Sequence, residues 1–508
     1  MSRVLAARAL IEKDVREQMR RFASLAVLLA AIAIAIATAS SAGAATGFAA
    51  AASECGNGKA ASAPGTSVGG TIPTANLSHA KYGQSSPGSC TYKGPGGFSI
   101  NIKKSCPAGW NVNQGITSKG INLFTSMPNS GALAAYGDIG VGIQSYLKYV
   151  NAHGGVAGRK VSYTIKGDQY EPQLTEQNAE AAIQGQKYAA GFAILGSSNN
   201  AAITSLMNKQ CMGDFMTAAS DDMFGNMKLP WTTGFGLDYD DETALWIDYL
   251  KTKYPSGANI VEITLGNDFG TSYSGGVARA VKGTKFKVVG DEVHSQAAPE
   301  ITDQITSAAA TGAQVVLLNE AGSYCTQAVA GIEQSSWHPL IIASNACAQI
   351  STVLQPLQAE GLTGNGLHVI RYYYSPTDAD EGNPSFSALY TKTLKSQGLD
   401  PTNSQYANGW FWGWYIVQVL RDASVMQGGL NRANILIANH SYASTYPLMV
   451  KGVEGMMDGD QSDYAFGSGA MYSYEGATTS AVGKWEKQGP LLSYQGDLHN
   501  YAYVQSHS

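Results

Sequence analysis

From residue 116 to residue 343 short apolar runs alternate with stretches of helical period, and this rhythm restricts the chain to parallel α/β architecture. The run at 121–125 reads as a strand. Ile139, Ile143, Leu147 and Val150 then fall at spacings of four, four and three, one apolar face of a helix. Glycines at 154, 155 and 158 stop that helix, since glycine adopts the positive φ of a helix cap without strain. Strands at 161–165 and 192–195 alternate with helices at 172–183 and 201–208, followed by an extended 215–218. The rhythm starts again with a helix at 242–254 and strands at 259–265, 285–293, 314–318 and 340–343, separated by helices at 273–281, 299–310 and 325–334. Two such series without a sequence repeat predict two doubly wound parallel-sheet lobes, 116–234 and 235–343. Gly234 and Gly236, in the extended stretch 231–237, suit a hinge between them. Residues 344–508, with helical segments at 385–395 and 406–426, are expected to return to lobe 1 and to end in a C-terminal crossing segment.

The amino terminus reads as an export signal. Lys13, Arg16, Arg20 and Arg21 precede an uncharged apolar run, 22–37, and a small-residue stretch, 38–44. Met19 would open a shorter version of the same signal, and an uncleaved membrane anchor is the other reading. Without residues 1–44 the chain keeps 27 basic and 35 acidic side chains; this mildly acidic balance, with no basic stripe, excludes a nucleic-acid footprint. Residues 45–115, rich in Gly, Ala and Ser, read as a tether. Six cysteines without metal-ligand spacing fit an oxidising compartment. Cys325 with Cys347, and Cys90 with Cys106, are spaced for local disulfides, which leaves Cys211 readable as a buried thiol. Glu54 just ahead of Cys55 does not suit lipid attachment there.

No catalytic signature stands out: HExxH, a P-loop, GxSxG and a strand-linked GxGxxG are all missing, and no histidine sits in a motif. No cofactor or metal is expected. Asp238, Asp240, Asp241 and Glu242 lack the glycine and distal glutamate of a calcium loop and read as a solvated helix start. In open parallel sheets, ligands bind beyond the carboxyl ends of the strands. The loops expected there, 127–136, 196–200 and 217–220, are rich in small hydroxyl and amide residues. Ser197 and Ser198 stand at a helix start, where free N–H groups and the positive dipole end suit a carboxylate; plain N-capping is the competing account.

Three segments carry a resemblance. They are Tyr136-Gly137; Asn151 followed by Gly154-Gly155, Gly158 and Arg159; and Asp168 followed by Pro172. Their order and spacing resemble the periplasmic solute-binding proteins of branched-chain amino-acid ABC transporters, with weaker echoes at 268–270, 312–315 and 386–390. The resemblance covers residues 116–430 and implies a type I periplasmic-binding-protein fold that closes its lobes on a ligand. It implies that Tyr136 closes over the ligand, and that Ser220 and the backbone at Ala218 receive a carboxylate. Ser197 or Asn200 would assist them, depending on one gap. Two positions depart from the family. Phe269 stands where it has a second-lobe tyrosine, and Ala298 stands where it has the acid that pairs with the ligand's ammonium; Glu300 lies two residues on. The implied function is an extracytoplasmic, monomeric, non-enzymatic receptor that delivers a small molecule, an amino acid or other small carboxylate, to ABC permease subunits. The alternative is a bilobed sensor not coupled to transport.

Overall fold

The structure, a computed structural model, describes residues 55–56, 70–378, 382–457, 459 and 464–493. The signal segment expected at 1–44 lies outside the described residues.

Two parallel sheets organise the chain. The first contains β1 (Gly120–Met127), β2 (Lys160–Gly167), β3 (Ala190–Phe192) and β4 (Gly213–Phe215) in the order β2-β1-β3-β4. The second contains β5 (Asn259–Gly266), β6 (Lys287–Ser295), β7 (Val315–Asn319), β8 (Leu340–Ala343) and β9 (Leu367–Arg371) in the order β6-β5-β7-β8-β9. Antiparallel β10 (Ser468–Glu475) and β11 (Lys484–Ser493) extend it beyond β9. Strand order reverses at the same place in both sheets, beside β1 and beside β5. There the connecting helices go to opposite faces and a crevice opens at the strands' carboxyl ends.

Burial follows sheet position. The apolar β7 is buried throughout, as a parallel strand covered on both faces must be. The edge strand β6 leaves Val288, Val289 and Val293 exposed. On the first sheet pack α1 (Asp138–Ala152), α2 (Pro172–Gln184) and α3 (Ser197–Lys209); on the second, α4 (Tyr239–Lys253), α5 (Asp268–Ala280), α6 (Thr302–Ala310) and α7 (Ser323–Gln334). The apolar face of α1 is buried at all four expected positions. In the turn after it, Gly155 has a φ of 67°, and a Cβ there would stand 2.0 Å from the Arg159 carbonyl oxygen.

Residues after 343 divide between the lobes. The strands β9, β10 and β11 join the second sheet, whereas α8 (Pro384–Ser396), α9 (Ser404–Val425) and α10 (Arg432–Asn439) join lobe 1. Helix α9 is buried along almost its whole length. It crosses α1 where Gly142 meets Gly409, and the Trp410 indole N–H donates to Ser145 Oγ of α1 at 3.2 Å. The chain passes between the lobes at 235–237, 372–374 and 464–466. These crossings share an aromatic cluster: Phe235 lies 5.4 Å from Phe466 and 5.0 Å from Trp412, and Tyr373 stacks on Phe411 at 4.0 Å.

Three expectations need correction. Residues 70–115 are not a tether but a folded strap on lobe 1, with a small antiparallel sheet of Gly83–Gln84, Thr91–Lys93 and Ser99–Asn101. Its Trp110 lies under the guanidinium of Arg432 at 4.4 Å and donates to the Cys211 carbonyl at 3.0 Å. Cys90 does not pair with Cys106, nor is Cys211 a free thiol. The bonds are Cys55–Cys90, Cys106–Cys211 and, as spaced, Cys325–Cys347. Spacing favoured the local partner because sequence distance says nothing about a strap that folds back onto lobe 1. Finally, the Gly/Tyr-rich sequence after 426, which shows no sustained period and reads as irregular, supplies α10, β10 and β11; Tyr442, Tyr446, Tyr464, Tyr472 and Tyr474 are buried.

Candidate ligand-binding cleft

A cleft opens between the two sheets at their carboxyl ends, enclosing about 830 Å³ of empty space, part of it open to solvent. From lobe 1 it receives Tyr136, ahead of α1, the α3 start at Gly196 and Ser197, and the stretch 218–220 after β4. Gly196 has a φ of 105°, which turns the chain from β3 straight into α3. The helix therefore begins at Ser197, four residues earlier than its apolar pattern suggested, and Ser197 and Ser198 occupy its first turn.

Of the residues singled out from sequence, Tyr136, Ser197, Ala218, Ser220 and Phe269 line the cleft, and Ser198, Asn200 and Ala298 do not. Ser197 is fully buried, and its hydroxyl reaches no hydrogen-bond partner of normal geometry among the described residues. Ser220 Oγ donates to the Phe235 carbonyl oxygen at 2.5 Å, tying the site to the first crossing. Asn200 turns away and donates to the carbonyls of Ile194 and Gly196 at 2.9 and 2.8 Å, which makes it a brace for the α3 start. Ser198 Oγ accepts from the Asp268 N–H of lobe 2 at 3.4 Å. Ala298 borders a separate groove with Ser130 and Tyr324.

The lobes touch across the cleft. Tyr136 is the main bridge: its hydroxyl accepts from the Gly322 N–H at 3.0 Å and donates to the Ala346 carbonyl at 3.1 Å. Burial pushes its pKa up to about 12, so the phenol stays neutral. Gln296 of lobe 2 reaches the Tyr170 carbonyl of lobe 1 at 3.4 Å. These contacts hold the two lobes together across the cleft.

Sequence reasoning missed the wall facing Ser197. Tyr239 stacks on Tyr273 at 4.4 Å, Tyr273 stacks on Trp246 at 5.3 Å, and Phe269 meets Tyr239 edge-on at 5.2 Å. Tyr372, Tyr373 and Trp412 come from the crossing region. Beneath the stack lies Glu242, whose carboxylate accepts from the Tyr273 hydroxyl and the Asn345 N–H, both at 2.8 Å. Burial pushes its pKa up to about 8, against the pull of those two donors and of the Trp246 side chain.

The acidic cluster expected to be a solvated helix start is in fact buried: Asp238, Asp240, Asp241 and Glu242 are all 8% exposed or less. Asp238 caps α4 by accepting from the Asp240 N–H at 2.7 Å, and Asp240 pairs with Arg279 through both oxygens. Burial raises the pKa of Asp241, helped by its neighbour Asp240. A run of acids normally marks a wet helix start; here α5 packs over it, with Arg279 against Asp240 and Tyr273 against Glu242.

The cleft thus offers hydroxyl and amide donors on one side, an aromatic wall on the other, and one buried carboxyl group. No helix among the described residues is long and apolar enough to cross a membrane. A comparison with curated protein sequences finds no match. Solved structures of the same fold are numerous. The branched chain amino acid ABC transporter protein of Thermus thermophilus, with bound valine, is similar at a TM-score of 0.64 and 14% identity, covering 77% of this chain and 100% of that one. A fatty acid ABC transporter substrate-binding protein from Thermomonospora curvata matches at 0.62 and 18%, covering 77% and 97%. A solute binding protein from R. palustris in complex with benzoate matches at 0.61 and 15%, covering 74% and 98%. A family model described as periplasmic binding protein matches residues 125–477, most of both sheets and all three crossings, and the chain belongs to that family.

Proposed function

We propose that the chain is an extracytoplasmic, monomeric receptor that captures a small carboxylate-bearing solute, an amino acid or a relative, by hinge closure and presents it to ABC permease subunits. The observation that carries this reading is the placement of Ser197 and Ser220 at the start of α3 and after β4, opposite an aromatic wall contributed by the other lobe. A helix start at the floor of a cleft receives an anion well, because its N–H groups and dipole stabilise the charge without a cation. The solutes named for the similar structures, valine, a fatty acid and benzoate, all carry a carboxylate. Binding favours the closed state by as much as the solute prefers it to the open one. Thermal-shift screening across small carboxylates, followed by solution scattering, tests the reading. A binding solute should lower the radius of gyration, and Ser220→Ala should weaken it by about 1–2 kcal/mol, the loss of a hydrogen bond to a charged group. If no carboxylate of any size binds, the reading is wrong.

A further inference from the structure

We infer that Glu242 is the acceptor for a positively charged nitrogen of the solute, so that among carboxylates the cleft selects those that carry an amine. The inference rests on the reading of this cleft as the binding site, and it adds the chemistry of the wall that faces Ser197. Among the residues lining the cleft, Glu242 is the single carboxyl group, and no lysine, arginine or histidine is present. The position where the family's acid is expected, Ala298, borders another groove and carries no charge. Glu242 comes from a different element, the first turn of α4, and enters the cleft beneath Tyr239 and Tyr273. Its partners, the Tyr273 hydroxyl, the Asn345 N–H and the Trp246 indole, are neutral donors. A buried carboxylate satisfied only by neutral donors still lacks a countercharge, and a cation against it recovers part of the desolvation cost.

The groups around Glu242 leave it as the proton carrier. Tyr273 on α5, Tyr372 on the crossing and Tyr239 on its own helix are phenols raised further by burial, and they stay neutral. On the same helix Asp240 is paired with Arg279, and burial, helped by Asp240, raises the pKa of Asp241. With a pKa of about 8, Glu242 is about nine-tenths protonated at pH 7. An arriving ammonium ion shifts it to the ionised form, so binding releases close to one proton into the buffer.

Calorimetric titration of the full chain at pH 7 with three probes tests this: phenylalanine, 3-phenylpropionate (the same carboxylate without the amine) and phenethylamine (the same amine without the carboxylate). Phenylalanine should bind at least tenfold more tightly than 3-phenylpropionate. Its apparent enthalpy should vary with the buffer's ionisation enthalpy in the sense of proton release. Glu242→Gln imitates the protonated carboxyl and so keeps the fold, which thermal unfolding checks; it should abolish both the tenfold preference and the proton release. Equal binding of phenylalanine and 3-phenylpropionate, or an unchanged preference in Glu242→Gln, overturns the inference while the carboxylate reading stands. Phenethylamine binding as well as phenylalanine leaves the inference standing and overturns the carboxylate reading. Binding of neither amine overturns the inference.

Discussion

Asp214 gives the sharpest test of how this interior treats charge. It sits on β4, fully buried, and neither carboxyl oxygen has a hydrogen-bond partner among the described residues. Burial alone lifts its pKa from 3.8 to about 8. Because the folded-state value is raised, the folded chain holds a proton between roughly pH 4 and pH 8 that the unfolded chain has released. Stability therefore falls as pH rises through that window, by about 1.4 kcal/mol per pH unit. Between pH 5 and pH 7 that is a loss of about 2.7 kcal/mol from one side chain. Asp214→Asn keeps the shape and removes the proton. Glu242 and Glu262, pushed up to about 8, and Glu320, pushed up to about 7, tilt both proteins in the same direction and cancel in the comparison. The assay is urea unfolding of both proteins at several pH values between 5 and 7. The difference in unfolding free energy should move in favour of the variant by about 2–3 kcal/mol across that range. Parallel pH dependences would refute the argument, showing that water or a rearranged donor reaches the carboxyl group.

Three further outcomes follow from the packing. In Gly409→Ala the new Cβ would lie 2.3 Å from the Ile139 carbonyl oxygen and 2.5 Å from Gly142 Cα, all rigid helix backbone. Forcing α1 and α9 apart should cost about 2–3 kcal/mol in denaturant unfolding, and a loss below half of that would mean the helices part easily. Replacing Cys106 and Cys211 together by serine opens a cross-link between residues 105 apart, and chain entropy assigns it about 4–5 kcal/mol; an unchanged unfolding midpoint would show that the strap is held by its packing alone. Tyr136→Phe removes both hydrogen bonds that the phenol makes to lobe 2. It should shift the ligand-free protein toward an open form with a larger radius of gyration, and an unchanged radius would mean that the aromatic crossings hold it shut.

The alternation of strands and helices in lobe 1 and lobe 2 was legible because each helix has a single buried face and each parallel strand is a short apolar run. The α1 face and the glycine stop after it are examples. What escaped was structure whose burial comes from distant segments. The strand β9 reads as a loop without the knowledge that β10 pairs with it, and α10 is short. Cys211 finds Cys106 only because the strap packs beside Trp110 and Arg432. The same reason divides the candidate site. Tyr136, Ser197 and Ser220 follow strands of lobe 1 and could be placed by topology. Glu242 looked like one of four solvated acids, and its signal, had it been used, was that α4 follows directly on the hinge glycine Gly236 and so starts at the cleft.

The Cys106–Cys211 bond also has a mechanical side. The strap, α8–α10 and the first sheet move as one mass, so a pull on the chain ahead of Cys55 loads lobe 1 through covalent bonds and never crosses the aromatic cluster at 235–237, 372–374 and 464–466. Lobe 2 is joined to that mass by the three crossings and by the hydrogen bonds across the cleft. A load applied at Cys55 is therefore carried by lobe 1 and bypasses the crossings about which the lobes would turn.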